Sequence, residues 1–201
     1  GKVTKKEMAG IPHYLLDVAD PKKRFDVVQY KKLADKAINK IFNLPAQAGK
    51  NKAPFVVGGT GFYIQAIVDG IVIPEVKPDW KLRAKLEKKS LSELVGILEQ
   101  KDPLRAKTID KNNPRRVIRA LEIILKTGRP VQPLGLKKPP YEVLLLGVKK
   151  DKNELKKLIE KRLLKRLDEG MIEEVKKLHK SGVSWKRLEE FGLEYRFVAQ
   201  Y

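Results

Sequence analysis

The segment Val57-Gly58-Gly59-Thr60-Gly61 joins a short apolar run to an apolar helical pattern, and it could bind a ligand. The apolar run, residues 54–57, predicts a strand that leads into a helix N-terminus. The first N–H groups of a helix lack intrahelical partners and lie at the positive end of its dipole, which favours an anionic or polar ligand. Glycines let such a ligand approach the main chain. A tight turn in which Thr60 only caps the helix explains the motif equally well.

A second candidate site is the pair Arg115 and Arg116, which follows Asn113 and Pro114. Asn113 is a favourable N-cap and Pro114 a favourable first helical residue, so both arginines are predicted in a first helical turn. Cations there face the positive end of the dipole and reduce helix stability. An anion such as an RNA phosphate would explain the arrangement, because two guanidinium groups and a helix N-terminus then point at one ligand. The alternative is two solvated arginines at a small penalty.

The composition favours a polyanionic partner. The 201 residues include 44 lysines and arginines against 25 acidic residues, a formal net charge of +19. Such an excess attracts RNA or DNA and opposes self-association, although solvated lysine-rich helix faces explain part of it. The absence of cysteine excludes disulfides and thiolate metal sites, and two histidines cannot form a metal cluster alone. No apolar stretch reaches membrane-spanning length and the N-terminus has no apolar signal region, so we expect a cytoplasmic protein without membrane association, and the charge favours a monomer.

The elements that must position these residues follow an α/β pattern. Strands are predicted near residues 14–18, 54–57 and 143–146, and helices at 26–42, after residue 60, at 151–169 and at 171–180, with a loop at 43–53. Residues 74–140 contain only helical patterns, at 79–89, 90–100, 103–109 and 114–127. The prediction is therefore a parallel sheet with helices, built from residues 1–73 and 141–201, and an all-helical insertion of residues 74–140.

The sequence resembles the tRNA dimethylallyltransferases, also called tRNA isopentenyltransferases, across essentially the whole chain. The matching blocks are Ile11-Pro12-His13-Tyr14-Leu15-Leu16-Asp17, Asp20-Pro21, Val57-Gly58-Gly59-Thr60-Gly61-Phe62-Tyr63, Asn113-Pro114-Arg115-Arg116-Val117, Arg119-Ala120-Leu121-Glu122, Thr127-Gly128-Arg129-Pro130, Arg166-Leu167-Asp168, Gly170-Met171, Glu173-Glu174-Val175 and Gly192-Leu193-Glu194-Tyr195-Arg196. Their order and approximate spacing match the family pattern. The resemblance also implies a sheet like that of P-loop NTPases.

The resemblance implies transfer of a dimethylallyl group from dimethylallyl diphosphate to N6 of the adenosine on the 3′ side of the tRNA anticodon. The target base must leave its stack to reach a protein channel. By resemblance, Thr60 contacts the target nucleotide and Arg196 binds the diphosphate, both at the catalytic site. Arg83 and the block Asn113, Pro114, Arg115, Arg116 and Val117 match positions that contact the tRNA anticodon stem–loop.

Two features of the family pattern are missing from the sequence. The phosphate-binding loop Gly-x-x-x-x-Gly-Lys-Ser/Thr and the general-base aspartate that follows it do not occur. The resemblance implies Mg²⁺, with ligands in that missing N-terminal segment and none in this chain. We therefore expect a fragment that is inactive alone, because nothing in it would deprotonate the attacking amine.

Two other functions remain open from the residues, a non-catalytic RNA-binding module and a P-loop small-molecule kinase. The first would not need the glycine-rich junction or Arg196, and the second would not need a basic helical insertion. His13 is interpreted as a structural hydrogen-bonding residue. Trp80, Trp185 and Tyr63 are interpreted as packing residues.

Overall fold

The computed structural model of the protein describes residues 3–44, 52–74 and 76–201. These residues form eleven helices and one two-stranded sheet, in two compact units. The terminal unit comprises Gly1–Val68 and Pro140–Tyr201, and the inserted unit comprises Asp69–Pro139. The elements are α1 Lys5–Met8, α2 Val27–Phe42, α3 Gly61–Val68, β1 Ile71–Val72, α4 Trp80–Leu86, α5 Leu91–Lys101, α6 Pro103–Thr108, α7 Pro114–Thr127, β2 Gly135–Leu136, α8 Lys152–Asp168, α9 Met171–Lys180, α10 Trp185–Phe191 and α11 Leu193–Gln200.

The inserted unit has its own hydrophobic core, formed by α4, α5, α6 and α7. Helix α7 begins after Asn113, whose side chain caps it, and ends at Gly128, which adopts the left-handed conformation with φ 66°. This confirms the predicted helix at 114–127, since its cap residues and its apolar spacing are both local signals. The fully buried side chains of this core are Leu94, Leu98, Val117 and Leu121.

A short antiparallel ladder joins the two ends of the inserted unit. Ile71 pairs with Leu136 and Val72 pairs with Gly135. Just before β1, Gly70 has φ +60°, its carbonyl accepts a hydrogen bond of 2.9 Å from the Lys137 amide, and a Cβ there would lie 1.8 Å from the Lys137 carbonyl oxygen. Only glycine fits this position, because both the positive φ and the close backbone approach exclude a side chain.

The terminal unit contains two small clusters of buried residues. In one, Ala34 and Ile38 of α2 pack against Ile67 of α3. Helix α2 begins with a capping box between Asp26 and Gln29, as expected for a helix with an Asp N-cap. The second cluster lies among α9, α10 and α11 and consists of Val175, Val183 and Leu188, each at most 1% exposed.

The expected parallel sheet is not formed by the described residues, which corrects the sequence prediction. Segments 14–18, 54–57 and 143–146 are irregular. Leu15 and Asp17 have φ values of 61° and 56°, which a strand cannot accommodate. Val57 is 92% exposed and Leu144 is 83% exposed. A buried parallel strand needs neighbouring strands and helices on both faces, and no described segment pairs with these two runs.

The other helix predictions agree with the structure to within a few residues, with the largest difference at α4, which ends at Leu86 rather than near residue 89. The predicted loop at 43–53 lies largely outside the described residues. Within the described ranges, each helix is too short or too polar to cross a bilayer.

Candidate functional site

Thr60 lies at the exposed start of α3. Its carbonyl accepts hydrogen bonds from the amides of Tyr63 at 2.9 Å and Ile64 at 3.2 Å, which close the first helical turn. Gly58 and Gly59 are exposed, and a Cβ added to either would meet no atom within 4 Å. The main chain of this junction is therefore accessible from outside the terminal unit. The structure confirms the predicted helix after Thr60 and leaves the ligand-binding interpretation as a prediction.

Arg196 lies on the exposed face of α11. Its Nε donates a hydrogen bond of 3.2 Å to the Glu189 carbonyl at the end of α10. Among the residues that the structure describes, no carboxylate lies within ion-pair distance of its guanidinium group. An arginine that is held at Nε by a main-chain carbonyl and is otherwise solvated can bind an anion without first breaking a salt bridge.

The residues beside Arg196 fix α11 to its neighbours. Glu194 accepts a hydrogen bond of 2.7 Å from Nη1 of Arg166 on α8, and the Tyr195 hydroxyl donates one of 2.8 Å to Glu174 on α9. Burial raises the pKa of Tyr195, and the hydrogen bond to Glu174 raises it further, to about 12. These contacts orient the helix that carries Arg196 and involve residues from three separate blocks of the family pattern.

Hydrogen bonds from the Arg187 side chain connect residues 20–24 to α10. Arg187 donates from Nε to the Pro21 carbonyl at 3.1 Å and from Nη2 to the Lys23 carbonyl at 2.6 Å. Its Nη1 also binds Glu190, which pairs with Arg24. This contact could not be predicted from the sequence, because Arg187 and the carbonyls that it binds lie more than 160 positions apart.

In the inserted unit, the block 113–117 surrounds the start of α7. The Asn113 side chain accepts a hydrogen bond of 3.3 Å from the Arg116 amide, and Pro114, Arg115 and Arg116 are exposed. Arg116 makes one long ion pair, 3.9 Å to Asp110. Val117 is fully buried in the core of the unit. Its side chain therefore anchors the helix, and the side chains open to a ligand are those of Pro114 and the two arginines.

Arg83 is held by a buried carboxylate. Its Nε and Nη2 donate hydrogen bonds of 2.9 Å and 2.7 Å to the two oxygens of Glu122, which is fully buried on α7. Glu122 also accepts from the Asp79 amide at 2.6 Å and from Arg119. Burial opposes ionisation of Glu122, but the bonds from Arg83, Asp79 and Arg119 outweigh it and lower its pKa to about 2.

This network was missed by the sequence analysis, which identified Arg83 as an RNA contact and noted Glu122 only as part of a matching block. The signal available in the sequence was that Glu122, an acidic residue three positions after Arg119, falls on the apolar face of α7 and therefore needs buried partners. The guanidinium of Arg83 also lies 4.8 Å from the ring centroid of Trp80, which is 49% exposed. Trp185 is 44% exposed and stacks on His179, and Tyr63 packs against Tyr30, as expected for packing residues.

His13 contacts the main chain, as its structural interpretation predicts. Its Nδ1 lies 2.8 Å from the Ile11 carbonyl. Within residues 3–44, 52–74 and 76–201, no three His, Asp or Glu side chains are grouped so that they could hold a metal ion. These described residues do not fit a magnesium site.

The chain is similar to a known protein family along its full length. The IPP transferase family profile matches residues 1–201. The tRNA dimethylallyltransferase of Dehalococcoides mccartyi is 38% identical over 205 aligned residues, which cover 100% of this chain and 61% of that protein. The tRNA dimethylallyltransferase of Herpetosiphon aurantiacus is 39% identical, with 96% of this chain and 61% of that protein covered.

Solved structures give the same result. The tRNA isopentenylpyrophosphate transferase of Bacillus halodurans has a TM-score of 0.55 and 30% identity, covering 99% of this chain and 66% of that one. The Staphylococcus epidermidis tRNA isopentenylpyrophosphate transferase has a TM-score of 0.52 and 26% identity. The chain spans about three-fifths of the length of the curated relatives that it matches. With a family match that extends over all 201 residues, the chain belongs to the IPP transferase family.

Proposed function

We propose that this chain is the RNA-binding and base-positioning part of a tRNA dimethylallyltransferase. In the proposed reaction, N6 of the adenosine beside the anticodon attacks C1 of dimethylallyl diphosphate. A C–N bond forms, the C–O bond to the diphosphate breaks, the diphosphate leaves with the bonding electron pair, and N6 loses one proton. The observation that carries this proposal is the family match over residues 1–201, with 38% identity to a protein named for this activity.

Thr60 and Arg196 are proposed to act at the reacting groups. The Thr60 hydroxyl is placed at an open junction where glycines allow close approach, and a hydroxyl can both donate to and accept from a base edge. Arg196 is exposed and would stabilise the negative charge that grows on the departing diphosphate. Both roles require ligands that approach the outside of the terminal unit.

The inserted unit is proposed to bind the anticodon stem–loop. Arg115 and Arg116 are exposed at the start of α7 and would contact phosphates, with Asn113 and Pro114 shaping the turn and Val117 anchoring it. Arg83 contributes through the surface that it forms with Trp80. The net charge of +19 would draw RNA to the protein, and it opposes close contact between two copies, which favours a monomer. A cytoplasmic location is proposed because tRNA is the substrate. Mg²⁺, which the family resemblance implies, would be held outside this chain.

The activity can be tested in a chimera, because the chain covers only part of its relatives. The 201 residues replace the matching segment of the Dehalococcoides mccartyi relative, and transfer of a labelled dimethylallyl group to an anticodon stem–loop is measured. We expect transfer by the chimera and a loss of at least ten-fold in the single-turnover rate for Thr60→Ala and for Arg196→Ala. The unmodified relative is the positive control.

The result that contradicts the proposal is a folded chimera that binds the stem–loop but transfers no label. Full single-turnover rates in both variants would contradict the roles of Thr60 and Arg196 while leaving the activity in place. A conservative variant, Thr60→Ser, separates hydroxyl chemistry from shape, and it should retain most of the rate.

A further inference from the structure

Trp80 presents a large, partly exposed aromatic surface on the inserted unit. It is the first residue of α4, and 49% of it is exposed. The Arg83 guanidinium lies 4.8 Å from its ring centroid. This cation is itself fixed, since Nε and Nη2, along one edge of its guanidinium group, both donate to the buried Glu122. The indole therefore rests on a rigid support, and its exposed part faces solvent.

The surroundings of Trp80 suit a nucleic acid rather than an apolar partner. Lys77 and Lys81, on either side of it in the sequence, are both exposed. Arg119 is the second cation bound to Glu122 and donates to the Val76 carbonyl at 2.9 Å. Glu122 neutralises one of the two arginines that it binds, so the local charge remains positive.

We propose that Trp80 is a stacking platform for an unpaired base of RNA, an assignment that rests on the proposed RNA-binding function of the inserted unit. An extruded or loop base stacks on an aromatic face, and an arginine on the ring adds a cation–π contribution. Lys77 and Lys81, both exposed and close to Trp80 in the sequence, would contact the phosphates beside that base. Arg83 is then a positioning residue, because Glu122 holds its guanidinium against the ring and away from phosphate.

Trp185 would contribute to any fluorescence measurement made on Trp80. It is the second of two tryptophans, is exposed to a similar extent, and stacks on His179 with ring centroids 3.8 Å apart. Its substitution by phenylalanine leaves Trp80 as the single tryptophan, so indole fluorescence then reports only on Trp80. This Trp185→Phe chain is the starting protein for the test.

The test titrates that chain with an anticodon stem–loop RNA and with a fully paired RNA duplex of equal length. Stacking predicts quenching of the Trp80 emission by the stem–loop and little quenching by the duplex. Trp80→Ala, made in the wild-type chain, should weaken stem–loop binding by about five-fold to one hundred-fold, the range for loss of one stacked base. Trp80→Phe should restore most of the affinity. The salt dependence of binding should stay the same in both, because no phosphate contact is removed.

Three results would overturn the assignment. One is that a Trp80→Ala chain, shown by circular dichroism to be folded, binds the stem–loop as well as wild type, whereas Arg115→Ala with Arg116→Ala weakens binding. In that case the RNA-binding function is supported and the role of Trp80 as a stacking platform is contradicted. Another is equal quenching by duplex and stem–loop. The last is no RNA binding by the wild-type chain, which removes both this assignment and the proposed function of the inserted unit.

Discussion

Glu122 on α7 binds one edge of the Arg83 guanidinium on α4 through both carboxylate oxygens, with Nε 2.9 Å from Oε1 and Nη2 2.7 Å from Oε2. The same carboxylate accepts from the Asp79 amide, so a single buried charge joins α7 to the residue that caps α4. A buried carboxylate is tolerated only when its lone pairs are satisfied, and here four donors satisfy them. The orientation of Trp80 depends on this arrangement.

Glu122→Gln should destabilise the inserted unit. The amide loses the charge that pairs with two arginines and turns an NH₂ group toward one of their donors. A pKa lowered from 4.5 to about 2 corresponds to a contribution of about 3 kcal/mol to the free energy of unfolding at neutral pH. Urea unfolding, followed by Trp80 fluorescence in the Trp185→Phe chain, measures it. Glu154→Gln, which removes an exposed pair with Lys150, is the control and should have little effect.

The same contribution should depend on pH in a defined direction. Because the pKa of Glu122 is lower in the folded protein than in the unfolded chain, its stabilisation is complete above about pH 4.5 and disappears as the pH falls toward 2. The difference in unfolding free energy between wild type and Glu122→Gln should therefore shrink over this range. A difference that is constant from pH 6 to pH 2.5 would contradict the assigned charge state.

Arg115→Ala combined with Arg116→Ala should reduce the salt dependence of RNA binding. Each lost phosphate contact lowers the magnitude of the slope of log K against log salt by about 0.7 to 0.9, so the double variant should lower it by about 1.5. Affinity for an anticodon stem–loop is measured at several salt concentrations. Lys156→Ala with Lys157→Ala, an equal change of charge on the exposed α8, should alter the slope less. Equal slopes in wild type and the Arg115/Arg116 variant would remove these residues from the interface.

Arg187→Ala should release residues 20–24 from α10. The substitution removes hydrogen bonds to the Pro21 and Lys23 carbonyls together with an ion pair to Glu190. Hydrogen exchange of the amides in this segment should accelerate by about ten-fold. Lys186→Ala, at the exposed neighbouring position, should leave exchange unchanged. Protection that survives in Arg187→Ala would mean that other contacts hold the segment.

Asp102→Ala should destabilise the inserted unit at a different point. Asp102 is 3% exposed, and its two oxygens accept from the Arg105 amide at 2.9 Å and the Val131 amide at 2.8 Å. The first bond caps α6 and the second fixes the chain after α7, so their loss should cost about 2 kcal/mol. Asp102→Asn retains one acceptor and should lose less. Urea unfolding gives both values, and Asp110→Ala, an exposed turn residue, is the control.

Most helices were predictable because their signals are local, although α1, α10 and α11 were not predicted. Asn113 with Pro114 marks the start of α7, Gly128 marks its end, and the apolar spacing between them identifies the buried face. The same reasoning located α2 from Asp26 and α9 from the residues after Gly170. Thr60 at a helix start was predictable for the same reason.

The parts that sequence reasoning missed depend on contacts between distant residues. Apolar runs such as residues 143–146 predict a strand only if another strand pairs with them, and pairing is not a local property. Glu122 could not be matched to Arg83, 39 positions earlier, without knowing which face of α7 meets α4. Trp80 was interpreted as a packing residue, but it is 49% exposed, and its contact with Arg83 could not be inferred from residue type alone.

The ladder of Ile71–Val72 with Gly135–Leu136 brings the entry and exit of the inserted unit to within one strand spacing, about 5 Å. All the described residues of this unit's hydrophobic core lie between those two strands in the sequence. Because its two ends are adjacent, this segment could be replaced by a two-residue turn. The excised segment could also be inserted into another protein through two adjacent linkers. Of the two described glycines at this ladder, Gly70 and Gly135, only Gly70 lies where a Cβ would collide with the opposing backbone.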